Sequence, residues 1–299
     1  MSAAIEPPLA TTGGTAYART VDILDFDDNE PLILVTNDDG IQSPGLHAAV
    51  EGVIGLGQLL VAAPTEQQTA RGRSMIGNRD DYFHTTTVWA HGREVRAFHL
   101  DASPALVVRH AIGVLCGGRL PDVVVSGINY GANLGSNITI SGTVGAAFQA
   151  AAMGVPALAM SRETEIEHHF VYGDLDWEEP IRVTHTYASR LLELSRIREV
   201  GEELPFHVLK VDVPHDAPPG TEERITRLSR SHYFHSVIPN PRIDSPISES
   251  VTTTNDDASS FSPDDDIYAF AVDRVVSVTP LTLDFSASVE KTARILHGA

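Results

Sequence analysis

Two adjacent carboxylates, Asp38 and Asp39, follow the apolar run Leu32 to Val35 in the stretch PLILVTNDDGIQSPG, Pro31 to Gly45. Side by side they repel each other unless a cation or a proton lies between them, so the pair invites a hard divalent ion. Taken alone, NDDG reads more simply as a solvated Asx turn closed by Gly40. Two further loops carry matching chemistry. Thr65 to Ser74 (TEQQTARGRS) offers the hydroxyls of Thr69 and Ser74 with Arg71 and Arg73, and Ser126 to Gly135 (SGINYGANLG) offers Asn129 and Asn133. Carboxylates, a hydroxyl and an amide form an oxygen donor set that suits Mg²⁺, Mn²⁺ or Ca²⁺ better than a soft metal. Few protein ligands leave positions open to water, as a hydrolytic metal requires. Beyond them, Ser141-Gly142-Thr143 opens a run of small residues, VGAAFQAAAM. The first N–H groups of such a helix seat a phosphate, although ordinary N-capping also accounts for Ser141 and Thr143.

The elements that must position these groups read as α/β. Leu32 to Val35, Gln58 to Ala62 and Asp122 to Val125 are short β-branched runs closed by turn residues, the pattern of buried parallel strands. Leu46, Val50, Val53 and Ile54 repeat at helical spacing between the first two, and a strand–helix–strand unit crosses over to make a parallel sheet. The carboxylates therefore stand at a strand's carboxyl end, the edge where open α/β sheets bind ligands. Tyr82 to Trp89 and Glu94 to His99 pair as a hairpin around Ala90-His91-Gly92. Ser103 and Pro104 start a helix to Leu115. Further strands are expected at Ala157 to Met160, Phe206 to Val213, Ile267 to Val272 and Val275 to Val278, with helices from Ile181 to Arg198 and Ser288 to Leu296. Residues 215–266, rich in Pro, Ser, Asp and Thr, read as loops and hairpins.

Other phosphate chemistries find no support. There is no GxxxxGK[ST], Gly131 to Gly135 lacks a GxGxxG fingerprint, and Cys116 is a lone cysteine without a basic phosphate loop. His168 and His169 follow an acidic run and read as surface histidines. His232 and His235 read as solvated loop residues near the pocket. Arg71 and Arg73 suit an anionic substrate or surface salt bridges equally.

Asn37-Asp38-Asp39-Gly40, Ser126-Gly127-Ile128-Asn129, Gly131-x-Asn133-x-Gly135 and Ser141-Gly142-Thr143-Val144-Gly145-Ala146-Ala147, in this order and separation, resemble the SurE family of survival-protein nucleotidases. The likeness covers Leu32 to Ser161 and returns weakly at Leu209 to Pro214 and Ser277 to Leu281. It implies a Rossmann-like three-layer core with a mainly parallel sheet and C-terminal hairpin and helix additions. It also implies a metal-dependent phosphomonoesterase acting on nucleoside 5′- and 3′-monophosphates, as a homodimer or homotetramer with C-terminal elements packed between subunits. Carried over, the metal ligands are Asp38, Asp39, Thr69 and Asn129, holding one Mg²⁺ or Mn²⁺ per subunit. Asp38 or Asp39 would orient the attacking water, and Asn133, Ser141, Gly142 and Thr143 would hold the phosphate. Thr69-Ala70 departs from the family's Ser-Gly, so Ser74 is the alternative hydroxyl. A phosphatase for another small ester or short polyphosphate, or a non-catalytic nucleotide sensor, is the competing reading.

With 299 residues, the chain has room for one large domain: an acidic, flexible extension over 1–30, unordered through Ala16, then one unit over 31–299 with its core to 214. No disulfide framework and no basic-then-apolar leader are present, which fits a cytoplasmic setting. The net charge of −19, with Lys210 and Lys291 the only lysines, disfavours nucleic-acid polymers and anionic membranes as partners. Acid spread along the whole chain fits a salt-rich cytoplasm, where self-repulsion is screened, although an arginine-biased genome also depletes lysine. Melting temperature measured across molar KCl separates the two. A rise with salt is expected, and a flat profile contradicts the halophilic reading.

Overall fold

The computed structural model describes residues 24–169, 171–197, 204–255 and 257–298. In chain order its strands and helices are β1 (Leu32–Thr36), α1 (Pro44–Val53), β2 (Gln58–Pro64), β3 (His84–Ala90), β4 (Arg93–Leu100), α2 (Pro104–Val114), β5 (Val123–Tyr130), α3 (Gly142–Ala152), β6 (Ala157–Arg162), α4 (Glu178–Ile197), β7 (Val208–Val213), β8 (Glu223–Ile225), β9 (Phe234–Val237), β10 (Val251–Thr254), β11 (Val276–Leu281) and α5 (Val289–His297). Among the described residues nine strands form one sheet in the order β3-β4-β2-β1-β5-β6-β7-β11-β8, and β9 and β10 form a separate antiparallel ribbon. Within the large sheet only β3 against β4 and β11 against β7 run antiparallel.

Alternation along each strand builds the layers. Ile33, Val35, Val61, Val123 and Val125 face α1 and α4, meeting Leu46, Val50, Val183 and Leu191. Leu32, Leu34, Leu60 and Val124 face α2 and α3, meeting Val107, Val108, Val144 and Ala147. A strand with apolar residues on both faces belongs in the middle of such a three-layer stack. From β1 the chain moves outward to β2 on one side, whereas β5, β6 and β7 run outward on the other. The order thus reverses between β1 and β5, and the loops leaving these strands diverge to open a crevice.

Several expectations are corrected. Ile267 to Val272 is not a strand: Tyr268–Val272 forms a helical turn, with Ile267 and Phe270 buried three residues apart on one side. β5 does not stop at Val125 but continues through Asn129 to Tyr130. Its pairing with β6 shifts between Ser126 and Asn129, and such a bulge re-aims the residues beyond it. Gly127 sits in that shift with φ +132°, where a Cβ would stand 2.3 Å from the Met160 carbonyl oxygen, so only glycine fits. The acidic Glu178 and Glu179 start α4 a turn earlier than expected, with Asp176 accepting from the Glu178 N–H. Its expected end, Arg198, lies outside the described residues. Ser103 takes the N-cap position of α2, yet its hydroxyl donates to the Ser74 carbonyl oxygen at 2.6 Å. Beyond residue 214 the chain still contributes to the large sheet, because β11 returns beside β7.

The segment expected to lack order through Ala16 lies outside the described residues. Asp27 and Glu30 are tied to the body through Arg119, which donates to both backbone carbonyls. No helix among the described residues is long and apolar enough to cross a membrane.

Candidate active site

β1 ends at Thr36, and the next three residues are almost wholly withdrawn from water: Asn37 is fully buried, Asp38 is 4 % exposed and Asp39 2 %. Asn37 closes the turn by donating to the Gly40 carbonyl oxygen at 2.9 Å. Asp38 meets the beginning of α3. Thr143 Oγ1 donates to its Oδ1 at 2.5 Å, and a Cβ on Gly142 would lie 2.6 Å from its Oδ2. Glycine at 142 is therefore what lets the positive end of the helix approach this carboxylate. Ser141 caps the same helix by accepting from the Val144 N–H. Asp39 is held from the other side, accepting from the Tyr130 N–H and from Gln67 Nε2, each at 3.0 Å. Tyr172 donates to the Asp39 carbonyl oxygen.

Burial dominates the electrostatics. It pushes Asp38 up to about 6, against the downward pull of the Thr143 hydroxyl and of backbone N–H groups including those of Thr143 and Gly142. Burial and then the charge of Asp38 push Asp39 up to about 8. No lysine or arginine among the described residues bonds either carboxylate. The chain satisfies other buried carboxylates differently. Lys210, fully buried, lies 2.5 Å from Asp212 and 3.1 Å from Asp266. The second pair is thus neutralised by a cation of the protein itself, whereas the first is not.

A cavity of about 220 Å³ opens over Asp38. Thr69, Asn129, Asn133, Ser141 and His169 line it, so the three loops do converge as expected. Asp39 is not on the cavity wall; it lies behind Asp38 among its donors. Asn129 donates through Nδ2 to the carbonyl oxygens of Tyr130 and Gly131, which leaves its Oδ1 without a hydrogen-bond donor among the described residues. Thr69 is exposed, and the neighbouring Ala70 adopts φ +59°, a left-handed conformation in which glycine would be unstrained. Ser74 does not line the cavity; its backbone is tied to α2. Asn133 is fastened by its N–H to Asp212 and by Nδ2 to Ser161. Thr143, expected at a phosphate, has its hydroxyl on Asp38.

Sequence reasoning missed four participants, His169, Gln67, Phe234 and the Tyr172 already placed on Asp39. His169 is not a solvated surface residue but lines the cavity half-buried, its Nε2 shielded from water and unbonded among the described residues. Gly131 makes room for that ring, since a Cβ there would stand 2.6 Å from Nε2. Gln67 bridges Asp39 and the His169 carbonyl oxygen. Phe234, from the β9–β10 ribbon, closes the cavity's far side, and Asn137 fixes it by bonding the backbone of Tyr233 and Phe234. Gly131 belongs to a motif already named, but no local motif marks His169, Gln67, Tyr172 or Phe234, because each arrives from a distant segment. Of the remaining histidines, His232 is exposed and His235 half-buried, the two rings in contact. Arg73 donates to Gln149, and neither it nor Arg71 forms a salt bridge among the described residues. A second group of potential ligands, Glu163, His215 and Asp216, is already bridged by the Arg274 guanidinium, which bonds all three.

Carboxyls whose affinity for protons is raised by folding stabilise the fold below the unfolded value near 3.8 and lose that contribution as pH climbs. Metal-free protein is therefore expected to melt at a lower temperature at pH 8 than at pH 5. Asp39→Asn is expected to flatten this slope in thermal scans; an unchanged slope would place its origin elsewhere.

The family model described as "Survival protein SurE" matches residues 33–235. The chain is 37% identical over 269 residues to the 5'-nucleotidase SurE of Thermococcus gammatolerans, covering 89% of this chain and 96% of that protein. It is 38% identical over 260 residues to the 5'-nucleotidase SurE of Methanococcus maripaludis, covering 85% and 93%. The crystal structure of the SurE protein from Aquifex aeolicus superposes with a TM-score of 0.67 at 26% identity, over 89% of this chain and all of that one. Its sheet, its buried acidic pair and these likenesses agree, and the chain belongs to the SurE family.

Proposed function

We propose that this chain is a divalent-metal-dependent phosphomonoesterase that releases phosphate from nucleoside 5′- and 3′-monophosphates. The observation that carries the reading is the Asp38–Asp39 pair: two adjacent buried carboxylates beside a cavity at the sheet's switch point, with no lysine or arginine among the described residues to neutralise them. The 5'-nucleotidase names of relatives more than a third identical support the substrate class. The donor set fits a hard ion, Mg²⁺ or Mn²⁺, one per subunit. Asp38, Asp39 and the unbonded Asn129 Oδ1 would hold it, with Thr69 as the hydroxyl ligand. Such an ion supplies charge for a phosphoryl oxygen and acidifies a bound water.

The chain's own residues do the rest. Thr143 and the first turn of α3 aim the Asp38 carboxylate, and Gln67 and the Tyr130 N–H aim that of Asp39. One of these carboxylates orients the attacking water and takes its proton. Ser141 and Asn133, on the cavity wall, face the phosphate together with the positive end of α3. Phe234 and the ribbon behind it limit access of bulk water.

Phosphate release from a panel of nucleoside monophosphates, with Mn²⁺, Mg²⁺ or EDTA, tests this reading. Asp38→Asn is expected to lose about 10³-fold or more in kcat/KM, and Thr143→Val about 10- to 100-fold through a misdirected ligand. Release that survives EDTA, or is equal in Asp38→Asn, contradicts it.

The assembly is proposed on separate grounds. α5 carries Val289, Ile295 and Leu296 at 73% exposure or more, with Phe285 just before it equally bare. An amphipathic helix whose apolar side no described residue covers suits a second copy of the chain, as a homodimer or homotetramer. Sedimentation is expected to give at least a dimer that Leu296→Glu weakens; a monomeric wild type contradicts this.

A further inference from the structure

Lys210 sits inside β7, fully buried, where a central strand of a three-layer stack ordinarily carries an apolar side chain. Its ammonium reaches Asp212 Oδ2 at 2.5 Å and Asp266 Oδ2 at 3.1 Å. Burial opposes its charge, and the two carboxylates outweigh burial and keep it protonated. Well-packed apolar residues stabilise a core about as well as buried ions do, so stability alone does not account for this group. The other bonds of the two aspartates do. Asp212 Oδ1 accepts from the Asn133 N–H at 2.7 Å, and Asp266 Oδ2 accepts from the Gly135 N–H at 2.9 Å. Asp266 Oδ1 also accepts from the Ser229 N–H, and Gly135 bridges to His232, so the segment leading to Phe234 is held by the same group.

We propose that Lys210 is a positioning residue for Asn133, holding Asp212 and Asp266 in the one arrangement that fixes the Asn133 to Gly135 loop over the cavity. The inference rests on the phosphomonoesterase reading, in which Asn133 faces the phosphate. Lys210 does not line the cavity, so it acts only through the aspartates. Asn133 Nδ2 carries two protons; one goes to Ser161 Oγ at 2.8 Å, which leaves the other for an oxygen in the cavity. That proton is well aimed only while Asp212 holds the backbone. Asp212 divides its two oxygens between the ammonium and the Asn133 N–H. Without the ammonium, Asp212 and Asp266 repel each other, and turning or protonation to relieve this gives up an N–H of the loop. An asparagine at 212 has one oxygen for two donors, and the charged donor takes it. Glutamine at 210 accepts as well as donates, so combining Lys210→Gln with Asp212→Asn frees that oxygen for Asn133 again. The pair of substitutions also leaves Asp266 as the single net charge, the same balance as one ammonium with two carboxylates.

The test measures kinetics on 5′-AMP at saturating Mn²⁺, well below the melting transition of each variant. Calorimetric binding of inorganic phosphate to the Mn²⁺-loaded protein gives a readout independent of turnover. Lys210→Gln and Asp212→Asn are each expected to lose at least about tenfold in kcat/KM and in phosphate affinity, and the double variant to regain at least about fivefold over either. In an Asn133→Ala background each is expected to cost less than about threefold, because its route to the phosphate is already gone. Asp212→Asn strands no buried charge, so its cycle with Asn133→Ala decides the matter where Lys210→Gln does not fold. Losses of full size on top of Asn133→Ala, a double variant no better than the single ones, or unchanged kinetics in Asp212→Asn would overturn the inference and leave the esterase reading intact. Folded wild type that hydrolyses no ester but binds phosphate in a way both substitutions weaken would retain the positioning role while ending the esterase reading. Wild type that neither hydrolyses AMP nor binds phosphate would end both.

Discussion

Asp38 and Asp39 place two carboxyl groups side by side out of water, and no basic side chain among the described residues answers them. Burying one charge costs several kcal/mol, and burying two of the same sign adds their repulsion. A fold keeps such a pair only where protons or a bound cation offset the cost. The contrast within this chain is direct. At Asp212 and Asp266 the same problem is met by Lys210, one of only two lysines in 299 residues. At Asp38 and Asp39 it is met by neutral donors and a helix end, which aim the oxygens without cancelling their charge.

Much of the surrounding structure serves to hold that arrangement. The reversal of strand order between β1 and β5 brings their carboxyl ends to one crevice. The bulge at Gly127 turns Asn129 toward the cavity, and Gly142 admits the end of α3 to Asp38. The lysine-centred network acts at a distance. Asp212 accepts from the Asn133 N–H and Asp266 from the Gly135 N–H, so the Gly131 to Gly135 loop is fastened to β7 and to the C-terminal segment. Phe234 is carried by that same C-terminal region, which links residues far apart in the chain to one site.

The three layers were legible in the sequence because the strands are buried on both faces and the helices keep their spacing. Asp38, Thr69, Asn129, Asn133 and Ser141 were legible as cavity residues because each lies at a strand or helix end or in the loop that follows a strand, marked by turn residues. Asp39 shows the limit of such reading: adjacency in sequence says nothing about which carboxylate faces the cavity. His169, Gln67, Tyr172 and Phe234 were hidden for another reason. Their placement depends on long connections packing across the crevice, and no local periodicity encodes that. The segment Ile267 to Val272 misled because an apolar run of six suits a strand or a buried helical turn equally.

Proton release on metal binding tests the central claim most directly. Isothermal titration of metal-free protein with Mn²⁺ at pH 7, in two buffers of different ionisation enthalpy, counts the protons displaced. If the buried pair is the metal site, about one ion binds per chain and displaces close to one proton, because burial and mutual repulsion raise the pair's affinity for a proton, which the ion must replace. Asp38→Asn should abolish both signals. Binding without proton release, or binding undiminished in Asp38→Asn, would contradict the account.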